Sequence, residues 1–169
     1  MRPLKEDCPE YYNHYIGLIK ESTVVDALKS TKESTIALIK SINEDLADFA
    51  YAGGKWTIKQ LLVHCIDTER IFSTRALCYA RGETQKAISF DENSYAENSN
   101  INNRTLNDIL EEFEAVRISS ICLFKSLSQT TLNLKGQTPI GYATVNAIGF
   151  TICGHTEHHL NILRERYLK

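Results

Sequence analysis

The sequence predicts an all-α protein folded as a four-helix bundle. Three observations predict it. Only three prolines occur in 169 residues, and none falls inside a long periodic segment, so nothing interrupts the backbone hydrogen bonds there. Apolar residues recur at helical spacing in four long stretches. Threonines suited to N-capping, Thr57, Thr105 and Thr144, stand at the head of three of them.

In chain order, a short N-terminal helix is expected around Tyr11 to Lys20, after Pro9. The first long helix runs from about Val24 to Ile42, with Leu28, Ile36, Leu38 and Ile39 as core candidates. Asn43 to Trp56 is a connection, broken at Gly53-Gly54. The next helix starts at Thr57-Ile-Lys-Gln60, a capping box in which the Thr hydroxyl accepts from the third amide and the Gln reaches back. Trp56 and Leu61 are placed for a hydrophobic staple. This helix ends near Ala80, before Arg81-Gly82. Residues 83 to 103 are polar and aperiodic and are expected to form a long loop. Thr105-Leu-Asn-Asp108 caps a helix to about Leu127, with Ile109, Phe113, Val116, Leu123 and Leu127 in its apolar stripe and Ser120 interrupting it. Residues 128 to 143, broken at Gly136, Pro139 and Gly141, are a second connection. Thr144 caps the last helix, which runs to about Leu168. Loop lengths alone leave open whether the bundle runs up-down-up-down or contains a crossover.

Length and composition fit one domain over residues 1–169, with 43% hydrophobic and 24% charged residues. Nineteen basic and 21 acidic residues leave a net charge of -2, without the basic footprint of a nucleic-acid binder. No apolar stretch reaches bilayer-spanning length. The N-terminus has no signal-peptide pattern, so a cytoplasmic protein is expected, without membrane or nucleic-acid partners. Cys8, Cys65, Cys78, Cys122 and Cys153 are scattered and form no C-x-x-C pair, which argues against a disulfide scaffold or a cysteine zinc knot.

The histidines carry the chemistry. His155 and His159 are four apart on the last helix, so both imidazoles project from one face. Their stripe, with Ile148, Ile152 and Ile162, is otherwise apolar. Buried imidazoles need a hydrogen-bond partner or a metal. His64, inside Leu61-Leu-Val-His64-Cys-Ile, is similarly embedded. If the two helices face each other, His64 completes a three-His site with coordination left open, the catalytic pattern for zinc. Histidines serving as hydrogen-bonded core residues are the alternative at this stage. Glu157, two residues after His155, lies on nearly the opposite side of the helix and is a poor base for such an ion. His158 is expected on a polar face with Thr151, Asn161 and Glu165. His14 has no matching partner.

The stretches Gly54-Lys-Trp-Thr-Ile-Lys-Gln-Leu-Leu-Val-His64-Cys-Ile-Asp67-Thr-Glu69-Arg70 and Gly154-His155-Thr-Glu-His-His159-Leu-Asn-Ile-Leu resemble the DinB-like family. Phe90-Asp-Glu-Asn-Ser-Tyr95 and Leu110-Glu-Glu-Phe-Glu-Ala-Val-Arg117 are similar to one branch of it. The resemblance implies a bundle of up-down-down-up topology and a divalent metal, often nickel or zinc, held by three histidines. By motif position these are His64, His155 and His159. It also implies a homodimer, and relatives that are thiol-dependent transferases or isomerases or are stress-inducible.

Asp67, one turn beyond His64, is a candidate to orient a ligand or act as a base; an ion pair with Arg70 or Arg117 is its other reading. Tyr95 and Arg117 are candidates for the site mouth. Trp56 is expected in the core, and Arg75 and Arg81 in solvent. The leading expectation is a metal-dependent enzyme acting on a small molecule, by thiol-dependent S-transfer to an electrophile or, second, by metal-assisted hydrolysis. A low-molecular-weight thiol would be the co-reactant of the first. A non-catalytic metal-binding stress protein and a helical interaction module are the competing classes.

Overall fold

The computed structural model describes residues Met1–Lys169. In chain order the elements are α1 (Glu10–Gly17), α2 (Val24–Ser41), α3 (Ile58–Ala80), α4 (Glu92–Glu97), α5 (Leu106–Lys125), α6 (Gln129–Leu132), β1 (Lys135–Thr138), β2 (Gly141–Thr144) and α7 (Val145–Ile162). A π-helical turn, Leu163–Tyr167, extends α7. No helix is long and apolar enough to cross a membrane. The helix starts follow the capping chemistry. Thr57 and Thr105 both form full capping boxes, with Gln60 and Asp108, and the Thr144 hydroxyl accepts from the Ala147 amide at 3.0 Å.

α2, α3, α5 and α7 make the bundle. α2 and α3 each pack against α5 and α7. Two apolar clusters fix the directions. One gathers Val24 and Leu28 from the start of α2, Ala76 and Tyr79 from the end of α3, Phe124 from the end of α5 and Ile148 from the start of α7. The other gathers Ile39, Leu61, Ile109 and Leu160 from the opposite ends. Helices α2 and α7 therefore run one way and α3 and α5 the other, which is the up-down-down-up order.

Between the clusters lies a polar waist. Arg117 of α5 is fully buried. Its Nε donates to Glu69 of α3 at 2.8 Å, and Nη2 donates to Glu69 at 2.8 Å and to the Thr156 hydroxyl of α7 at 3.1 Å. Nη1 donates to the Thr31 hydroxyl at 2.6 Å and the Leu28 carbonyl at 3.2 Å, both on α2. All five N–H groups are thus placed, and all four helices meet at one guanidinium. Burial opposes the Arg117 charge, but the Glu69 carboxylate outweighs it and holds the guanidinium above its ordinary pKa. Arg117 is accordingly a core residue, not a residue of the site mouth.

The two connections contain more structure than their sequences suggest. Within 83 to 103, Asp91 caps α4 through the Asn93 and Ser94 amides, and Gln60 of α3 donates to the Ala96 carbonyl at 3.2 Å. Within 128 to 143, β1 and β2 pair antiparallel, Gly136 facing Ala143 and Thr138 facing Gly141. Gly136 is required there: a Cβ would stand 2.0 Å from the Tyr79 ring. That tyrosine's hydroxyl donates to the Gln137 carbonyl at 2.8 Å.

α1 packs along α7. Gly154 sets the approach, because a Cβ there would stand 2.0 Å from the Tyr15 carbonyl oxygen. Gly149 plays the same part against Val24 and Phe124.

Two outcomes test this description. Arg117→Ala should cost about 3–5 kcal/mol in urea unfolding, because it leaves Glu69 buried and unpaired, and replacing both Arg117 and Glu69 by Met should recover much of the loss. A single-variant cost under about 1 kcal/mol would contradict the assigned burial. Gly154→Ala should cost about 1–3 kcal/mol through forced displacement of α1. Gly17→Ala, where nothing lies within 4 Å, should be neutral or stabilising in the same thermal melt.

Candidate metal centre

α3 and α7 lie side by side and antiparallel, which brings His64 opposite His155 and His159. The His155 Nε2 stands 3.1 Å from the His64 Nε2 and 3.2 Å from the His159 Nε2. One nitrogen from each ring falls within a set whose members are all within 4.8 Å of one another. His64 and His155 are buried and His159 is nearly so.

The donor set fits a divalent ion. Two imidazole nitrogens bound about 2.0–2.1 Å from one ion stand about 2.9 Å apart at a right angle and about 3.3 Å apart at the tetrahedral angle. The two separations fall between those values. A neutral imidazole carries one N–H, so hydrogen bonds among three converging Nε2 atoms leave a lone pair unanswered, whereas a cation answers all three. Burial pushes the pKa of His64 down to about 4 and of His159 down to about 3, and holds that of His155 well below its ordinary value, with neighbouring histidines adding to the effect at His155 and His159. All three rings are therefore neutral near pH 7, the form a metal requires. The His159 Nδ1 is buried without a hydrogen-bond partner. Its ring is held by its neighbours, with His64, His155 and His158 at centroid distances of 4.9, 4.5 and 5.2 Å.

The three nitrogens border a cavity of about 410 Å³, within the range of small-molecule sites. α1 contributes Tyr11, Tyr12 and Tyr15 to its wall. From α3 come His64, Thr68, Phe72 and Arg75, one face of the helix at successive spacings of four, four and three. The α4 region contributes Phe90 and Glu92, and the hairpin tip Pro139 and Ile140. Trp56 flanks the His64 ring at 4.7 Å, and the Tyr11 and Tyr15 hydroxyls are 2.9 Å apart. The buried Thr68 hydroxyl has no hydrogen-bond partner.

Several sequence expectations change here. Asp67 follows its ion-pair reading: its carboxylate pairs with Arg70 at 3.6 Å, makes no hydrogen bond to the three histidines and does not line the cavity. Burial raises its pKa, and Arg70 works the other way. Tyr95 packs its ring tilted against Phe90 at 5.3 Å and does not line the cavity. Arg75 is not solvated; it is 7% exposed and forms part of the wall. Trp56 is a wall residue as well as a packing one. His158 lines the cavity, and His14 has a partner after all, the His158 ring at 5.6 Å. The tyrosines of α1, with Thr68 and Glu92, escaped sequence reasoning. The 64–68–72–75 spacing on α3 was the available signal for Thr68 and Arg75.

The depressed histidine values set an acid limit for the metal-free protein. As pH falls below 6.5, the unfolded chain gains protons that the folded histidines refuse until about pH 4 or lower. Stability should therefore be full above that window and fall on acidification through it. Thermal melts of metal-free protein across this range should show the decline. His155→Leu should flatten it, and an equally steep decline in that variant would remove His155 as a cause.

Residues 27–163 match the sequence profile of the DinB superfamily. No curated protein sequence matches the chain. Among solved structures, the fold is similar to that of YfiT from Bacillus subtilis, described as a probable metal-dependent hydrolase with an unusual four-helix bundle topology. The TM-score is 0.76 at 16% sequence identity, over 98% of this chain and 90% of that one. With its family match extending from α2 through α7 and three histidines joined at the cavity wall, the chain belongs to the DinB superfamily.

Proposed function

We propose that the protein is a divalent-metal-dependent hydrolase acting on a small electrophile in the three-histidine cavity. The observation that carries this reading is the convergence of three neutral imidazole nitrogens at the wall of a cavity large enough for a substrate. A structural zinc would take four protein ligands; three leave coordination open. An ion held by His64, His155 and His159, with zinc and nickel the expected identities, would lower the pKa of a coordinated nucleophile and polarise an electrophile.

This chain's residues would do the rest. Glu92 is the single carboxylate in the cavity wall and bears electrostatically on both His64 and Tyr15, so we take it, not Asp67, as the group that accepts the proton of an attacking water. The Tyr15 pKa is raised by burial, with the Tyr11 hydroxyl adding to it, so its phenol stays protonated and able to donate to a leaving group. Trp56, Phe72 and Phe90 exclude bulk water and hold the substrate's apolar part.

Thiol-dependent S-transfer would use the same centre with a diffusible thiol. The chain supplies no thiol of its own to the cavity, and burial pushes Cys65 and Cys153 up to about 12. This leaves water as the simpler nucleophile.

Untagged protein should retain about one divalent ion per chain, and His64→Ala should lower metal affinity by at least about tenfold. Metal-loaded protein should hydrolyse 4-nitrophenyl acetate, and Glu92→Gln should lower kcat by about 10²-fold or more without loss of metal. Full metal content in His64→Ala would remove that residue from the centre. Turnover only when glutathione accompanies an electrophile such as 1-chloro-2,4-dinitrobenzene would replace hydrolysis by S-transfer.

A further inference from the structure

Arg75 stands apart from the other buried charges of this protein. It is 7% exposed, yet none of the protein's ion pairs includes it. Its one hydrogen bond runs from Nη2 to the Ile88 carbonyl at 2.7 Å, and its guanidinium lies over the Phe72 ring at 5.1 Å. Five donors are present and one is used. The only buried side-chain atoms without a partner are Thr68 Oγ1 and His159 Nδ1, so the free nitrogens of Arg75 open onto the cavity it lines, where an anion can meet them. Arg117, the fully buried arginine, has its carboxylate and every donor satisfied, so the unpaired state of Arg75 is not a general feature of the core.

Its position gives an anion a place. Arg75 lines the histidine cavity at the far end of the α3 face that begins with His64. Eleven residues separate them, roughly 16 Å along the helix axis. Thr68 and Phe72 fill the interval, and Thr68 carries its unpartnered buried hydroxyl. Glu92, the cavity's carboxylate, belongs to the His64 and Tyr15 end and does not pair with Arg75. Arg75 also borders a separate surface groove containing Glu83 and Lys86, but Phe72 and Thr68 belong only to the histidine cavity.

We infer that Arg75 is the substrate-anchoring residue of this cavity, and that its ligand is an elongated small molecule with a carboxylate or phosphate on an apolar body. The anion meets the Arg75 guanidinium, the apolar body lies along Phe72 and the α1 tyrosines, and Thr68 hydrogen-bonds a polar group between the anion and the reacting end. This rests on the reading of the cavity as the reaction site but not on the reaction performed there.

Trp56 is the protein's single tryptophan and borders the cavity, so its emission reports occupancy. In metal-free protein near neutral pH, hexanoate or hexyl phosphate should change that emission saturably. Hexan-1-ol should bind more weakly by about tenfold, the scale of one charge-assisted pair. Arg75→Gln should weaken the anionic probes by about tenfold and leave hexan-1-ol unchanged, while Arg75→Lys, which keeps the charge but loses the planar fork stacked on Phe72, should recover only part of the preference. Whichever of the two anions binds more tightly identifies the substrate's end group. Equal binding of hexanol and both anions, an unchanged anion affinity in a folded Arg75→Gln protein, or anion binding without any Trp56 response would overturn the assignment; the last would move the anion to the outer groove. Because no metal is present, a negative result leaves metal-dependent hydrolysis standing, and absence of hydrolysis leaves Arg75 untouched.

Discussion

The bundle depends on a single guanidinium that four helices share. An apolar core alone would allow the helices to slide by a turn with little change in buried area. The Arg117 network does not allow that, because Glu69, Thr156, Thr31 and the Leu28 carbonyl must each meet a particular N–H in a dry interior. A slip of one turn on any helix would leave a buried charge or hydroxyl unanswered. The same constraint positions the three-histidine cluster. Glu69 lies a little over one turn beyond His64 on α3, and Thr156 follows His155 directly on α7. The contacts that fix the register of α3 against α7 therefore also fix His64 opposite the His155–His159 pair. The histidines are neutral and hold no charge pair to align them. Their preorganisation comes from the waist beside them.

The legibility of the sequence follows the range of the interactions involved. The long helices were readable because their determinants are local: capping boxes at Thr57 and Thr105, periodic apolar positions, and few prolines. The i, i+4 pair His155 and His159 was readable for the same reason, since one helix defines it. His64 needed one further premise, that α3 faces α7. Arg117 and Arg75 were misread because an arginine's burial is decided by what it meets elsewhere. The partner of Arg117 lies 48 residues away on another helix, and Arg75 is covered by segments whose structure was not anticipated. The hairpin and α4 were hidden because each is short and takes its stability from tertiary contacts, such as Gly136 against Tyr79 and Ala96 against Gln60.

Glycine in the last helix has a related lesson. In an isolated helix Gly149 and Gly154 are unfavourable by up to about 1 kcal/mol each. Here they create the closeness on which the site is built. Gly154 admits the backbone of α1, and α1 brings three tyrosines to the cavity. Its neighbour His155 meets the Tyr15 ring at 5.4 Å. A local penalty in α7 thus supports both the wall of the cavity and the packing of a cavity histidine.

The molecule separates two tasks between two kinds of structure. The three converging histidine nitrogens sit on long bundle helices, where displacement would disturb the shared core. Much of the cavity wall comes from short elements laid against that core: the α1 tyrosines, Phe90 and Glu92 beside α4, and the Pro139–Ile140 hairpin tip. Phe90, Glu92, Pro139 and Ile140 lie outside the two apolar clusters and can change with little cost to them, whereas α1 is tied to the bundle through Tyr12 and Ile16. Arg75 belongs to both kinds, since its backbone is part of α3 and its guanidinium is covered by the segment containing Ile88. That arrangement keeps the spacing between the three histidines and the cation rigid, while the residues around them adjust what fits in between. Selectivity for molecular length would then be a property of one helix, and selectivity for shape a property of the appended segments.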